Sequence, residues 1–282
     1  MPYQASQLRG KKGGLFQRLG RGSTDARNAL RPPEPRAAEL IYRSWVRSFW
    51  KLWVHVVRTE LASTQSDTAP QLAERMYALL NASGLNGVLV RTGRAVTDNV
   101  ARYMGSIFKR GQAPEGVRLD AVDPRRIPRL RPFDAEQTAQ IDKWRLENLR
   151  LIKNATDEHV AALFKIFKEA QEQGIAHGEL AGQVAAALDV GYNRAVLIAS
   201  DQTTKFNGTI QQVQQTAAGI TEFIWSTSHD GAVRPTHRLL DGKKFQWSVG
   251  APDGVNLVLP GEPIRCRCQA IPVIELFAGI DD

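Results

Sequence analysis

The sequence predicts an α+β protein with a flexible basic N-terminal arm, a helical N-terminal and middle region, and a small C-terminal α+β domain with a short antiparallel sheet. Three observations support this fold class. The first 36 residues are rich in glycine and in basic residues. Apolar residues then recur at helical spacing as far as about residue 216, and beyond it short apolar segments alternate with turn residues. Helices followed by short strands are typical of an α+β domain.

Length and composition favour a globular protein from a reducing compartment such as a bacterial cytoplasm. The chain has 282 residues, 43% hydrophobic and 23% charged, which gives room for one large or two modest domains. Its two cysteines are two positions apart, so no disulfide framework is expected. No segment reaches the roughly 18 apolar residues that cross a bilayer, and the N-terminus lacks the apolar core of a secretory signal.

Residues 1–36 form the predicted arm. They contain eight Lys or Arg and only two acidic residues, Asp25 and Glu34, within a net charge of +8 for the chain. Such a composition cannot bury enough surface to offset chain entropy. The arm is either a solvated tail or a segment that contacts DNA or a partner, because phosphate attraction needs only clustered cations. The candidate DNA contacts in the arm are Arg9, Lys11, Lys12, Arg18 and Arg21.

Residues 37–133 are predicted to be a helical region with a connector rich in proline and arginine. A helix over 37–62 carries an apolar stripe widened by Trp50 and Trp53. This stripe is either a core face or an exposed aromatic face that docks on a partner. Its members are Ile41, Trp45, Phe49, Leu52 and Val56.

After a polar break at 63–68, Pro70 begins a helix over 71–81, and Ser83-Gly84 and Asn86-Gly87 predict turns before a helix at about 94–110. Four prolines make 111–132 an extended connector, whose arginines either face solvent or form a second basic contact strip. These arginines are Arg118, Arg125, Arg126, Arg129 and Arg131.

Residues 134–175 are predicted to be a helical linker region, and residues 176–282 the C-terminal domain. Asp134 and Gln137 resemble a capping box for a first helix. Further helices are expected over Asp157–Gln173, Glu179–Leu188 and Arg194–Thr216, with a break at Gly191 and an end near Gly219. Strands are expected at Phe223–Trp225, Phe245–Trp247, Leu257–Leu259 and Gln269–Val273.

An unusual cluster occupies the 44 positions from Trp225 to Cys268, which suggests one structural site built from several turns. Asp230-Gly231 and Asp241-Gly242 predict turns, and Arg234-Pro235 predicts a helix start. Our preferred structural interpretation is a buried ion pair between Arg234 and an aspartate that locks the loops together.

The same cluster offers two chemical interpretations. His237, Cys266 and Cys268 have the ligand types of a Zn²⁺ site, with His229 as a possible fourth ligand. Against this, a Cys-x-Cys pair on a regular strand points to opposite faces, so both thiols ligate only if the strand bends, and otherwise they simply pack. His237 with Asp230 or Asp241 could also form a general base, but no nucleophile elbow, phosphate loop or His-Glu-x-x-His motif accompanies them.

The cluster resembles the Mu F-like head morphogenesis family, the minor head proteins of tailed phages. That family shows a strand Trp, Asp-x-x-Val-Arg-x-x-His (or Cys), Leu-Asp-Gly, Pro-Gly and Cys-Arg-Cys. The segment Arg194–Asp201, followed by Asn207, resembles a helix that precedes these motifs in the family, and Ser200-Asp201 replaces the usual Thr-Glu there. The resemblance covers about residues 174–274. The matching positions are Trp225, Asp230, Val233, Arg234, His237, Leu240, Asp241, Gly242, Pro260, Gly261, Cys266, Arg267 and Cys268.

The resemblance implies a phage minor capsid protein without enzymatic activity, associated with the portal and acting in head morphogenesis and DNA packaging or delivery. The implied partners are the portal protein, capsid or scaffold proteins and phage double-stranded DNA, with no membrane in the assembled head. The implied location is the virion, at the head interior or portal vertex, and the host cytoplasm during assembly. No cofactor is expected apart from the possible zinc. The alternative is a nuclease or transferase that uses His237, Asp230 and Asp241.

Overall fold

The computed structural model describes residues 31–62, 69–110 and 135–273, and over these ranges it confirms an α+β fold. Long helices come first and short antiparallel strands last. The helices are α1 (Arg36–Ala62), α2 (Ala69–Ala82), α3 (Leu85–Arg110), α4 (Ala135–Gln173), α5 (His177–Ala217) and α6 (Pro235–Leu240). The strands are β1 (Glu222–Ser226), β2 (Lys244–Gln246), β3 (Ala251–Asp253), β4 (Asn256–Val258) and β5 (Gln269–Pro272).

Several predictions fall on residues outside the described ranges. They are the basic arm up to residue 30, the polar break at 63–68, the connector at 111–132 and the capping residue Asp134. All ten candidate DNA contacts lie in these segments. Within the described ranges, none of the helices combines the length and hydrophobicity that a bilayer span requires.

The chain divides into two compact units. The helical unit comprises Arg36–Ala95 and Ala139–Thr203. Of the described residues, the C-terminal unit comprises 204–273 together with 96–110, 135–138 and 31–35. The domain boundaries expected from the sequence at 36, 133 and 175 stay predictions.

The aromatic stripe of α1 is core in the helical unit, so its interpretation as an exposed docking face is wrong. Trp53 is completely buried, and Trp45 and Phe49 are 8% and 6% exposed. The rings of Trp45 and Phe49 stack with their centroids 5.3 Å apart. Leu52, which was predicted to belong to the apolar stripe, is exposed, because the buried face of α1 is centred on Trp50 and Trp53.

Three predicted interruptions of the helices are wrong. Asn86-Gly87 lies inside α3, α4 runs without a break through Asp157, and α5 continues through Gly191. A Cβ at Gly191 would lie 2.6 Å from Cη2 of Trp50 and 2.7 Å from Nδ1 of His159. This glycine therefore permits close side-chain packing rather than breaking the helix.

The three-stranded sheet of the C-terminal unit has the order β2-β1-β5, and both pairings are antiparallel. The four predicted strands are confirmed, with small shifts of their ends. Strand β3 was not predicted, and it pairs with β4 as a hairpin. Trp225 lies opposite Ala270 in the register of β1 and β5. Phe223, Trp225 and Trp247 form the centre of the core, together with Leu240 and the two cysteines.

Candidate functional site

Helix α5 is joined to the edge strand β5 by buried amide side chains. Asn207, Gln211 and Gln215 recur every four residues, so they share one face of the helix. Gln211 accepts a hydrogen bond from the backbone N of Ala270 over 3.2 Å, and Gln215 donates to the carbonyl of the same residue over 3.1 Å. The side chain of Gln269 accepts from Gln211 and Asn207 over 2.6 and 3.0 Å. These amides satisfy backbone groups that the sheet leaves unpaired.

A second contact with α5 explains the Pro260-Gly261 turn. A Cβ at Gly208 would lie 2.6 Å from the carbonyl oxygen of Pro260, so the turn touches the helix backbone. Gly261 has φ +87, and a Cβ there would lie 3.2 Å from the carbonyl oxygen of Thr204. Both positions require glycine. Gly208 allows the close approach of the turn, and Gly261 combines a close approach with a left-handed backbone conformation.

His237 is carried by the short helix α6, which begins at Pro235 as predicted. The imidazole is 2% exposed and meets the ring of Trp225 edge-on, with centroids 5.2 Å apart. Its Nε2 lies 3.2 Å from Oδ2 of Asp253 in β3. A hydrogen bond from Thr236 holds the pKa of Asp253 below its usual range, so this carboxylate is an acceptor for the Nε2–H. The Nδ1 atom then carries the lone pair of the ring, which can accept a hydrogen bond or bind a metal.

Both cysteine sulfurs meet that Nδ1 atom. Sγ of Cys266 lies 3.6 Å from it and Sγ of Cys268 lies 3.5 Å from it. The expected divergence of a Cys-x-Cys pair does not arise, because β5 begins only at Gln269 and the cysteines precede it. Arg265 has a left-handed backbone (φ 58) just before them, which bends the chain so that both thiols face His237.

The two buried thiols are hydrogen-bonded to each other. The hydrogen bond between them lowers the pKa of Cys266 to about 6 and raises the pKa of Cys268. A hydrogen bond of this kind favours loss of one proton from the pair, and the thiolate is the form of cysteine that binds metals and attacks electrophiles.

His229, expected as a possible fourth metal ligand, lies elsewhere. Its Nε2 is 3.1 Å from both carboxylate oxygens of Asp241. Asp241 also accepts from the backbone N and the hydroxyl of Thr227, over 2.8 and 3.0 Å. The Leu240-Asp241-Gly242 motif therefore holds the loop that leaves β1, and His229 belongs to this loop contact.

Asp230 forms an ion pair with Arg267 rather than with Arg234. The guanidinium of Arg267 lies 2.5 Å from Oδ2 of Asp230, and this hydrogen bond lowers the pKa of the aspartate. Arg234 instead donates to the carbonyl of Ile264 over 2.6 Å. Both arginines join the α6 loop to the segment that carries the cysteines. The predicted buried ion pair between Arg234 and an aspartate is wrong, because Arg234 binds a backbone carbonyl and the Asp230–Arg267 pair is exposed.

The general base suggested for an enzyme is not assembled. His237 pairs with Asp253, whereas Asp230 and Asp241 are engaged by Arg267 and His229. The three residues of that hypothesis thus belong to three separate contacts in the part of the chain that the structure describes.

A cavity of about 400 Å³ lies beside His237 and the cysteines. Arg234, Arg265 and Arg267 line it together with Ser228, Ala232 and Val233. The cavity leads toward the sulfur and imidazole atoms, so a small ion and a water molecule have room to reach them.

Sequence reasoning missed Asp253 and the amides Gln211, Gln215 and Gln269. The amides had only a weak signal. Asn207, Gln211 and Gln215 recur every four residues, but Gln212 and Gln214 lie beside them, so the polar pattern does not mark one face of the helix. Asp253 precedes Gly254 and carries only the signal of a turn. Its pairing with His237 depends on the β3-β4 hairpin.

Comparison with known proteins supports the resemblance drawn from the motif. An uncharacterized protein of Haemophilus influenzae is 25% identical over an alignment of 248 positions that covers 85% of this chain. The chain spans about half the length (54%) of that curated relative. No solved structure matches the chain. The family model described as Phage Mu protein F like protein matches residues 165–271, which contain α5, the sheet and the His237 site, and this match confirms the Mu F-like resemblance.

Proposed function

We propose that this chain is a phage minor head protein that binds the portal and acts in head morphogenesis and in packaging or delivery of DNA. The observation that carries the proposal is the family match over residues 165–271. Within the host cell the protein joins the assembling head, and in the virion it resides in the head interior or at the portal vertex. Capsid or scaffold proteins are further partners in this proposal.

The contacts of the C-terminal unit support a structural role. Asp241 holds the loop after β1, the Asp230–Arg267 pair holds the loop before α6, and Gly208 admits the Pro260-Gly261 turn. Each of these motif residues fixes one loop of a small domain. A domain fixed in this way is suited to present a constant surface to other subunits.

For the portal contact we infer a groove in the helical unit, called here the basic groove. It has a volume of about 740 Å³ and lies between α1 and the first turns of α5. Its apolar lining includes Trp50, Val184 and Leu188. Its charged lining residues are Arg47, Lys51, Arg58 and Asp189, and His55 adds a further titratable group.

The occupant that fits the basic groove is an acidic amphipathic helix of the portal protein. An apolar helix face buries against the lining, and carboxylates on its flanks meet the three cations. Binding through such charges is faster and more selective than through the apolar surface alone.

Co-expression with the portal of the same phage tests this proposal. We expect the full chain to co-purify with the portal and to be present in proheads. Arg47→Glu combined with Lys51→Glu should weaken capture at least tenfold, because repulsion replaces attraction at the groove. Lys143→Glu combined with Arg150→Glu is the matched control, since both residues are exposed on α4 of the same unit. Absence of the wild-type chain from portal, proheads and virions would overturn the function, whereas equal capture of both double variants would overturn only the groove.

DNA contact is a separate part of the proposal and rests on the cations of residues 1–36 and 118–131. Full-length protein should bind double-stranded DNA without sequence preference, with an affinity that falls steeply as salt rises. Deletion of residues 1–30 should lower the affinity and flatten the salt dependence. Equal binding by both proteins at every salt concentration would show that the arm has no role.

A further inference from the structure

We propose that His237, Cys266 and Cys268 bind one Zn²⁺ ion, with a water molecule from the adjoining cavity as the fourth ligand. The three side chains are buried, and their ligand atoms all lie within 4.8 Å of one another. One imidazole and two sulfurs form a soft donor set of the kind that selects zinc over magnesium or calcium.

The interatomic distances agree with tetrahedral zinc. With Zn–S of about 2.3 Å and Zn–N of about 2.0–2.1 Å at tetrahedral angles, the nitrogen and each sulfur are separated by about 3.5–3.6 Å. The observed separations from Nδ1 of His237 are 3.6 Å to Cys266 and 3.5 Å to Cys268. Both nitrogen–sulfur separations are therefore those of a tetrahedral zinc site.

The surroundings of His237 have the arrangement found around metal-binding histidines. Nε2 lies 3.2 Å from the carboxylate of Asp253, which fixes the ring and leaves Nδ1 directed at the sulfurs. A carboxylate on the far nitrogen of a ligating histidine sets its tautomer and raises its basicity. Asp253 is thus the positioning residue of this site.

Zinc here would join two parts of the C-terminal unit. His237 belongs to α6, and the cysteines belong to the segment that leads into β5. On binding, the thiols would release their protons to solvent, and two thiolates and a neutral imidazole would hold the ion. The cavity of about 400 Å³ provides the route of entry and the space for the fourth ligand.

Elemental analysis of the full chain, purified without a histidine tag, is the first test. We expect close to one zinc per chain after dialysis against metal-free buffer. Replacement by Co²⁺ should give the visible bands of tetrahedral coordination and the ultraviolet charge-transfer band of thiolate ligation. Metal-free wild-type protein that folds normally and gives no such bands would overturn the proposal.

Variants locate the ion. Cys266→Ser and Cys268→Ser should each lose the zinc, and His229→Asn should keep it because His229 contacts Asp241 instead. Since a cysteine variant can also fail to fold, wild-type protein is melted with and without a strong chelator. Chelation should lower the melting temperature of the wild type and leave that of a folded Cys266→Ser variant unchanged. Zinc retained by both cysteine variants would overturn the assignment. This test does not depend on portal binding, so it can fail without affecting the proposed function.

Discussion

The indole Nε1–H of Trp53 donates a hydrogen bond to Nε2 of His159 over 3.1 Å, and both side chains are buried in the helical unit. Because Nε2 is the acceptor, the ring proton of neutral His159 resides on Nδ1. Protonating Nε2 would remove the acceptor and place a charge in the core. Burial accordingly lowers the pKa of His159 from 6.5 to about 4.

This pair predicts an acid-sensitive helical unit. Between the unfolded pKa of 6.5 and the folded pKa of about 4, the unfolded chain binds more protons than the folded chain. Stability should therefore be full above pH 6.5 and fall as the pH drops toward 4, by about 3 kcal/mol in total. Hydrogen exchange of α1 peptides at several pH values measures this loss. His159→Gln should remove the slope in this interval, and a slope of equal size in the variant would contradict the assignment.

A second prediction concerns Gly191 in α5. Gly191→Ala should destabilise the helical unit by about 1–3 kcal/mol, because its methyl group would overlap Trp50 and His159. Gly182→Ala is the control in the same helix, since a Cβ there meets nothing within 4 Å. That change should stabilise the helix by up to about 1 kcal/mol. Thermal or urea denaturation of both variants measures the difference, and similar effects at the two positions would refute the packing role of Gly191.

The amide face of α5 gives a third prediction. Gln211→Ala leaves the backbone N of Ala270 and the side chain of Gln269 without their partner, which should cost about 1–3 kcal/mol. Gln212→Ala, one position along and half-buried, should change stability by less than about 0.5 kcal/mol. Hydrogen exchange at Ala270 is the direct readout. Unchanged protection of that amide in Gln211→Ala would show that another group satisfies it.

Asp241 gives a fourth prediction, which separates its two contacts. Asp241→Ala removes the acceptor for the backbone N and hydroxyl of Thr227, so the unfolding free energy should fall by about 1–3 kcal/mol. His229→Ala removes only the exposed partner and should cost less than about 1 kcal/mol. Urea denaturation of the two variants gives the comparison. An equal loss in both would mean that the His229 contact, rather than the Thr227 contacts, holds the loop.

The sequence allowed the order of elements and much of the site to be predicted, for local reasons. Helical spacing predicted α1, Pro235 predicted the start of α6, and Gly219 predicted the end of α5. Gly191 and Asn86-Gly87 gave wrong predictions of helix breaks, because local propensity does not include the tertiary contacts that keep a helix intact.

The parts of the site that could not be predicted depend on backbone geometry or on distant partners. Cys266 and Cys268 converge because Arg265 adopts a left-handed conformation, which no spacing rule indicates. The partner of His237 is Asp253, 16 positions away on a strand of three residues. Arg267 rather than Arg234 meets Asp230, because the Arg234 side chain is used by a backbone carbonyl.

The amides of α5 have a consequence for how the three-stranded sheet meets other chains. Ala270 is at the outer edge of β5, and its N–H and C=O are both occupied by glutamine side chains. An incoming strand of another protein therefore finds no free hydrogen-bonding positions at this residue, which hinders β-augmentation on that side. The opposite edge is β2, a strand of three residues with the exposed cation Lys244. Short length and a lysine are features that discourage edge-to-edge association, so crowded copies of this domain should resist joining their sheets.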